Sequence, residues 1–276
     1  MAYEAEISGY SETGFAILKN AFEASMVDSI LCEVCDVFRP ILKCHGISSS
    51  ESVGAEFGVA LEELFRQDMS AYLSAAKATQ SVPGLHAFGA GHEMIELVRQ
   101  FGLAQPLIAV RPVVHILSDF LRVSEGYHRT PPHQDWRSVQ GSLDSIVVWL
   151  PLVAVNRDFG AIEVIPGSHL EGLLETRRDR FGNVVKESLV DNERFVPVEA
   201  EPGDAVVFSM FTVHRTGKEQ RSGIRWASSF RYNNAANPDY AAHGYPNPFN
   251  YNSQDDLLID GFPKPCDVRA VFSMLS

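Results

Sequence analysis

The chain is short of positive charge. It holds 23 Lys and Arg against 35 Asp and Glu, a formal net charge of −12. A nucleic-acid backbone needs a clustered Lys/Arg face, so no nucleic-acid partner is expected. A polyanionic substrate is disfavoured too, unless a local basic pocket exists. Cysteine is equally scarce, with only Cys32, Cys35, Cys44 and Cys266. No second pair stands at zinc-finger spacing from Cys32 and Cys35, and no disulfide framework is implied. A reducing, cytoplasmic setting fits. Long apolar runs are missing as well. None reaches the roughly 18 residues of a membrane span, so no membrane partner is expected. The opening "MAYEAEISGYSETG" has no basic segment followed by an apolar one, so no signal peptide is expected.

What remains is a composition of ordinary soluble type, 45% hydrophobic and 21% charged. A chain of 276 residues can bury a core without staples. Residues 1 to about 105 read as mostly helical. "SGYSETGFAILKNAF" reads as a turn, a short strand from Phe15 to Leu18, and a helix start. "SMVDSILCEVCDVFRPIL" sets Met26, Ile30, Leu31, Val34 and Phe38 on one helical face, with Cys32 and Cys35 as small residues of that helix and Pro40 ending it. "GAEFGVALEELFRQDMSAYLSAAKATQ" reads as a second long amphipathic helix closed by "VPG". "GHEMIELVRQFG" reads as a third, with Gly102 as its cap.

The texture changes after Pro106. Seven or eight short β-branched runs, most separated by Gly, Pro, Asn or Asp, predict a sandwich or barrel. No linker divides the helical part from the strands. The expectation is therefore one domain, residues 1–276: a helical flank to about 105, a β core from about 106 to 232, and a cover from 233 to 276. The stretch 233–256, rich in Asn, Tyr, Pro and Ala, reads as an ordered loop. Nothing in the sequence reads out an oligomeric state.

Within the strand region, "TPPHQDW" places His133 and Asp135 two residues apart behind a rigid Pro131-Pro132 step. In an extended strand both side chains face one side. One imidazole and one carboxylate are two thirds of a facial two-histidine, one-carboxylate site, which leaves coordination positions open on Fe(II). Of nine histidines, His45, His86, His92 and His243 lie outside the strands and His128 lies in the loop before Pro131. His115, His169 and His214 remain. His214 ends "EPGDAVVFSMFTVHRTG", a Pro-Gly-Asp turn followed by an apolar strand. Arg225 follows eleven residues later in "IRWASSFRYN", where a hairpin return would bring it beside the metal. If the co-substrate of such a site is 2-oxoglutarate, its far carboxylate wants a buried arginine in bidentate geometry.

These pieces, "HQD" at 133–135, "IPGSH" at 165–169, "PGDAVVF" at 202–208 and His214 with Arg225, resemble the phytanoyl-CoA dioxygenase family of Fe(II)/2-oxoglutarate oxygenases. "YSETGFAILKNAF" is also similar to the family's N-terminal segment. The resemblance spans residues 10 to 232, most closely 130 to 232. It implies a double-stranded β-helix, the cupin-like jelly roll, under an N-terminal helical layer. It implies His133, Asp135 and His214 as iron ligands and Arg225 as the clamp on 2-oxoglutarate, with Thr216 helping to hold that carboxylate and Trp149 beside it. It implies O2 as co-substrate and a small organic molecule hydroxylated at a C–H bond, with succinate and CO2 released. Halogenating relatives carry a small residue in place of the aspartate, so Asp135 points to hydroxylation.

Other residues carry plainer expectations. His169 should pin its loop rather than bind metal, and Asp204 should be a turn residue. His115 or Arg122 could face the barrel interior as packing. "ETRRDR" reads as a solvated turn. Arg137 and Gln140 are expected to contact substrate. Two other functions remain open: a cupin-like metal hydrolase or isomerase, which would not need Arg225, and a binding module with a relic site.

Overall fold

The computed structural model describes residues 3–121, 129–179, 182–217 and 223–247. The helical part holds α1 (Glu4–Thr13), α2 (Ala24–Asp36), α3 (Phe38–Cys44), α4 (Ala55–Gln67), α5 (Met69–Ala78), α6 (Pro83–Ala90) and α7 (His92–Gln100). Two expected long helices are each split, for local reasons. Pro40 has no N–H to give the carbonyl of Asp36, where α2 stops. It sits in the first turn of α3, where that N–H is not needed, so the same residue ends one helix and fits the start of the next. Asp68 leaves helical backbone, and its carboxylate accepts from the Ala71 N–H at 2.9 Å, capping α5. Pro83 likewise starts α6 instead of closing a helix. The buried face of α2 is Val27, Ile30, Leu31, Val34 and Cys35, while Met26 is largely exposed. The segment before Phe15 is α1, not a turn.

The strands form a jelly roll of two main sheets. The major sheet has the order β1 (Phe15–Leu18), β8 (Ala205–Ser209), β3 (Ile146–Pro151), β10 (Ile224–Asn234), β2 (Pro106–Ser118), all antiparallel. The minor sheet is β7 (Val196–Val198), β4 (Ile162–Val164) and β9 (His214–Thr216). A hairpin of β5 (Thr176–Asp179) and β6 (Gly182–Val185) stands apart and contains most of "ETRRDR". The short helices α8 (Trp136–Val139) and α9 (Pro238–Ala242) complete the described residues, and α9 follows directly on β10. Arg122, His128, Cys266 and residues 248–276 of the expected cover lie outside them.

Period-two alternation sorts the major sheet into two faces. Ile146, Val148 and Leu150 join Ala205 and Val207 in the core shared with α2 to α7, whereas Val147, Trp149, Val206 and Phe208 face the minor sheet. Every residue of β3 is buried, because helices cover one face and the minor sheet the other. The apolar run toward His214 is not one strand. It leaves the major sheet at Ser209, turns, and enters the minor sheet as β9. Arg225 therefore returns on the opposite sheet and not through a hairpin with β9.

Candidate metal centre

His133 does not lie in a strand. It makes one antiparallel bridge to His214, with both N–H···O bonds formed, 3.0 Å from His133 N and 3.1 Å from His214 N. Asp135 has helical backbone and leads into α8. The two side chains thus converge through a strand-to-helix turn rather than through strand alternation. The imidazole nitrogens of His133 and His214 and a carboxylate oxygen of Asp135 all lie within 4.8 Å of one another.

Both histidines are held in one tautomer. Nδ1 of His133 lies 2.9 Å from the Pro131 carbonyl, and Nδ1 of His214 lies 3.0 Å from the Thr212 carbonyl. A carbonyl only accepts, so Nδ1 of each ring carries a proton and Nε2 is the nitrogen left to face the site. Those Nε2 atoms stand 3.5 and 4.0 Å from the Asp135 carboxylate. Burial, and then His133, pull the His214 pKa down to about 3, so it is neutral near pH 7. Burial would raise the Asp135 pKa. The Arg231 guanidinium, then His133 and His214, outweigh it and hold the carboxyl well below the usual carboxylate range. Two imidazoles and one carboxylate are the donor set that suits non-haem Fe(II) with positions left open.

The two histidines of the triad edge a cavity of about 140 Å³ between the two sheets. The major sheet supplies His115, Val147, Trp149, Phe208, Arg225, Ser229 and Arg231; the minor sheet supplies Ile162, His214, Arg215 and Thr216, with Thr130 and His133 at their edge. Pockets for drug-sized ligands run from roughly 300 Å³ upward, so this one suits a compact molecule. Arg225 is 3% exposed, with its guanidinium carbon 5.9 Å from the Trp149 ring centre. Thr216 uses its hydroxyl oxygen to accept from the Thr130 N–H at 3.1 Å, which leaves the hydroxyl proton to donate. Arg215 is already engaged, with Glu163 at 2.6 Å and stacked 3.7 Å over the Phe195 ring.

Of the residues expected to form the site, His133, His214, Arg225, Thr216 and Trp149 line this one cavity, and Asp135 joins them through the triad. Arg137 and Gln140 do not line it. Arg137 donates to the Leu174 carbonyl at 2.8 Å, and Gln140 is exposed with positive φ after α8. His169 lies outside the triad, its Nε2 3.1 Å from the Ser11 carbonyl, tying its loop to α1. Gly14 makes that approach possible, since a Cβ there would fall 2.3 Å from His169 Nδ1 and φ is +77°. Asp204 is a turn residue that also pairs with Lys19 at 2.7 Å. His115 faces the interior, its pKa lowered to about 3 by burial and then by Arg225 and Arg231.

Two residues escaped the sequence reading. Arg231 pairs with Asp135 through Nε to Oδ2 at 3.0 Å and Nη2 to Oδ1 at 3.3 Å. The available signal was parity, because Arg231 lies an even number of residues after Arg225 along a strand that alternates faces. Gln134, between His133 and Asp135, is 1% exposed. Its amide donates to the Gly172 and Phe211 carbonyls at 2.8 and 2.6 Å and accepts from the Leu174 N–H at 2.8 Å. It ties the His133–Asp135 pair to the turn that delivers His214.

Residues 10–227 match the family described as phytanoyl-CoA dioxygenase (PhyH), well over half of the chain. The chain belongs to the phytanoyl-CoA dioxygenase family. Two curated relatives match over shorter stretches. The 1-deoxypentalenic acid 11-beta-hydroxylase of Streptomyces exfoliatus is 30% identical over 95 residues, 32% of this chain and 34% of that protein. A probable phytanoyl-CoA dioxygenase of Caenorhabditis elegans is 29% identical over 114 residues, 38% of this chain and 36% of that protein. The matches thus span about a third of these relatives. Among solved structures, the non-heme alpha ketoglutarate dependent epimerase SnoN from nogalamycin biosynthesis superposes with a TM-score of 0.56 at 20% identity, covering 85% of this chain and 81% of that one. EctD from S. alaskensis, solved with 2-oxoglutarate and 5-hydroxyectoine, gives 0.53 at 16% identity, covering 85% and 77%. At such identities these likenesses bear on the fold, and they agree with the jelly roll of this family member.

Proposed function

We propose that this phytanoyl-CoA dioxygenase family member is an Fe(II)- and 2-oxoglutarate-dependent dioxygenase. Its reaction would hydroxylate a C–H bond of a small organic substrate and release succinate and CO2. The observation that carries the proposal is one cavity edged by the two histidines of a His133–Asp135–His214 triad and lined by the buried Arg225 with Thr216. The relatives support it in kind: one is named a hydroxylase, and EctD was solved with 2-oxoglutarate.

The residues divide the work. His133, Asp135 and His214 would hold Fe(II), with their tautomers and charge already set. Arg225, with the Thr216 hydroxyl, would clamp the far carboxylate of 2-oxoglutarate, and Trp149 would wall that subsite. Iron with 2-oxoglutarate and O2 supplies the oxidising chemistry; the protein contributes orientation and exclusion of water. Val147, Ile162 and Phe208 keep the cavity wall apolar near the triad. Substrate contact through Arg137 and Gln140 finds no support in the cavity lining, and the proposal does not use it. The intact Asp135 favours hydroxylation over halogenation. Cys32, Cys35 and Cys44 are free thiols, which suits a reducing, cytoplasmic setting. Among the described residues no helix is long and apolar enough to cross a membrane.

The test is anaerobic addition of Fe(II) and 2-oxoglutarate, which should give a weak visible charge-transfer band, followed by a succinate-release screen with products scored for one added oxygen. Protein shown calorimetrically to bind both components without the band would overturn the reading. Activity that survives Arg225→Ala unchanged would favour a metal hydrolase or isomerase.

A further inference from the structure

We propose that Arg231 is a positioning residue that holds Asp135 as a single-oxygen ligand, so that the metal keeps its open positions. The inference rests on the metal centre proposed above. Arg231 grips both Asp135 oxygens from one side, Nε on Oδ2 at 3.0 Å and Nη2 on Oδ1 at 3.3 Å. Its third nitrogen, Nη1, donates to Ser229 Oγ at 3.1 Å. Ser229 Oγ in turn lies 2.9 Å from Nε2 of the buried His115. Arg231 thus donates to both Asp135 and Ser229, and Ser229 is held in turn against His115.

Both charges are largely withdrawn from water. The Arg231 and Asp135 side chains are 11% and 7% exposed. A carboxylate free to rotate can chelate a metal through both oxygens and occupy two positions. Here, turning the second oxygen to the metal would break one arm of the guanidinium fork in a desolvated site, where an unmade charged hydrogen bond is expensive. Groups that orient metal ligands typically change metal affinity 10–100-fold when removed. A cation beside the site has the opposite electrostatic effect, since its loss should tighten metal binding. The sign of the change therefore separates a positioning role from mere proximity.

The experiment uses Co(II) as the probe with full-length wild type, Arg231→Met, Arg231→Lys and Ser229→Ala. Affinity is read by calorimetry, coordination by the visible Co(II) absorption, and folding by the metal-free melting curve. Arg231→Met should bind Co(II) about 10–100-fold more weakly with an altered absorption spectrum. Arg231→Lys, which keeps the charge but not the fork, should also weaken binding and alter the spectrum. Ser229→Ala should change affinity less than tenfold in the same direction. Equal or tighter Co(II) binding by folded Arg231→Met would overturn the inference. If Arg231→Met fails to fold, folded Arg231→Lys with wild-type affinity and spectrum overturns it in the same way. Wild-type protein that binds no Co(II) would remove the metal centre itself, and this inference with it.

Discussion

On the major-sheet side of the cavity, Arg225 and Arg231 ride on β10, eleven residues long and paired along both edges. Its far face, with Trp226, Phe230 and Tyr232, packs into the core shared with the helices. On the minor-sheet side, His214 starts a strand of three residues and His133 makes a single bridge. There the positions are set by polar pins: the two Nδ1–H bonds, the three bonds of Gln134, and Ser168, whose hydroxyl accepts from the Val213 N–H at 2.9 Å. The arginines are thus carried by a strand packed on an apolar core, and the triad by individual hydrogen bonds. Packing is spread over many small contacts, so losing one costs stability before geometry. A hydrogen-bond pin is single, so losing one costs geometry at once.

Substitutions on each side test that contrast, taken here in order of their effect on 2-oxoglutarate turnover per folded molecule. Asp135→Ala should reduce succinate formation below detection and abolish Co(II) binding measured by calorimetry, because two imidazoles alone leave the site without its charge. Arg225→Ala should raise the 2-oxoglutarate KM about 100-fold, roughly the worth of one charged hydrogen bond at about 1.5–3 kcal/mol, with metal binding retained. Gln134→Leu leaves two carbonyls and one N–H without their partner. It should lower unfolding stability by about 3 kcal/mol and turnover about tenfold, read together from denaturant melts and succinate assays. Leu150→Ala, on the helix-facing side of β3, should cost about 2–5 kcal/mol of stability and leave turnover per folded molecule unchanged. If Leu150→Ala slowed turnover as much as Gln134→Leu, the contrast between packing and pins would fail.

The legible part of the site was its spacing. His133, Asp135, His214 and Arg225 were readable because ligand chemistry restricts residue types and because turns and strand ends mark where such residues can meet. The backbone route between them was not. Asp135 faces the triad from the first residues of a helix, not from a strand, since the dipeptide geometry of His-Gln-Asp is compatible with both. The hairpin expected to return Arg225 does not exist, because β9 and β10 belong to different sheets. Helix periodicity likewise showed that residues 55–78 are helical. It did not show the break at Asp68, where a side-chain cap competes with the helix backbone.

By itself, then, the sequence determined the class of elements, through periodicity and turn residues, and its motifs carried a family resemblance that implied the jelly roll and the residues proposed for the metal triad. Only the tertiary structure decided that Arg231 grips Asp135 and that Gln134 joins loops some forty and eighty residues away. An arginine on a strand is compatible with many partners. Which carboxylate it meets depends on how the two sheets are stacked, and that stacking is fixed by the summed packing of both faces of the major sheet rather than by any short stretch of chain.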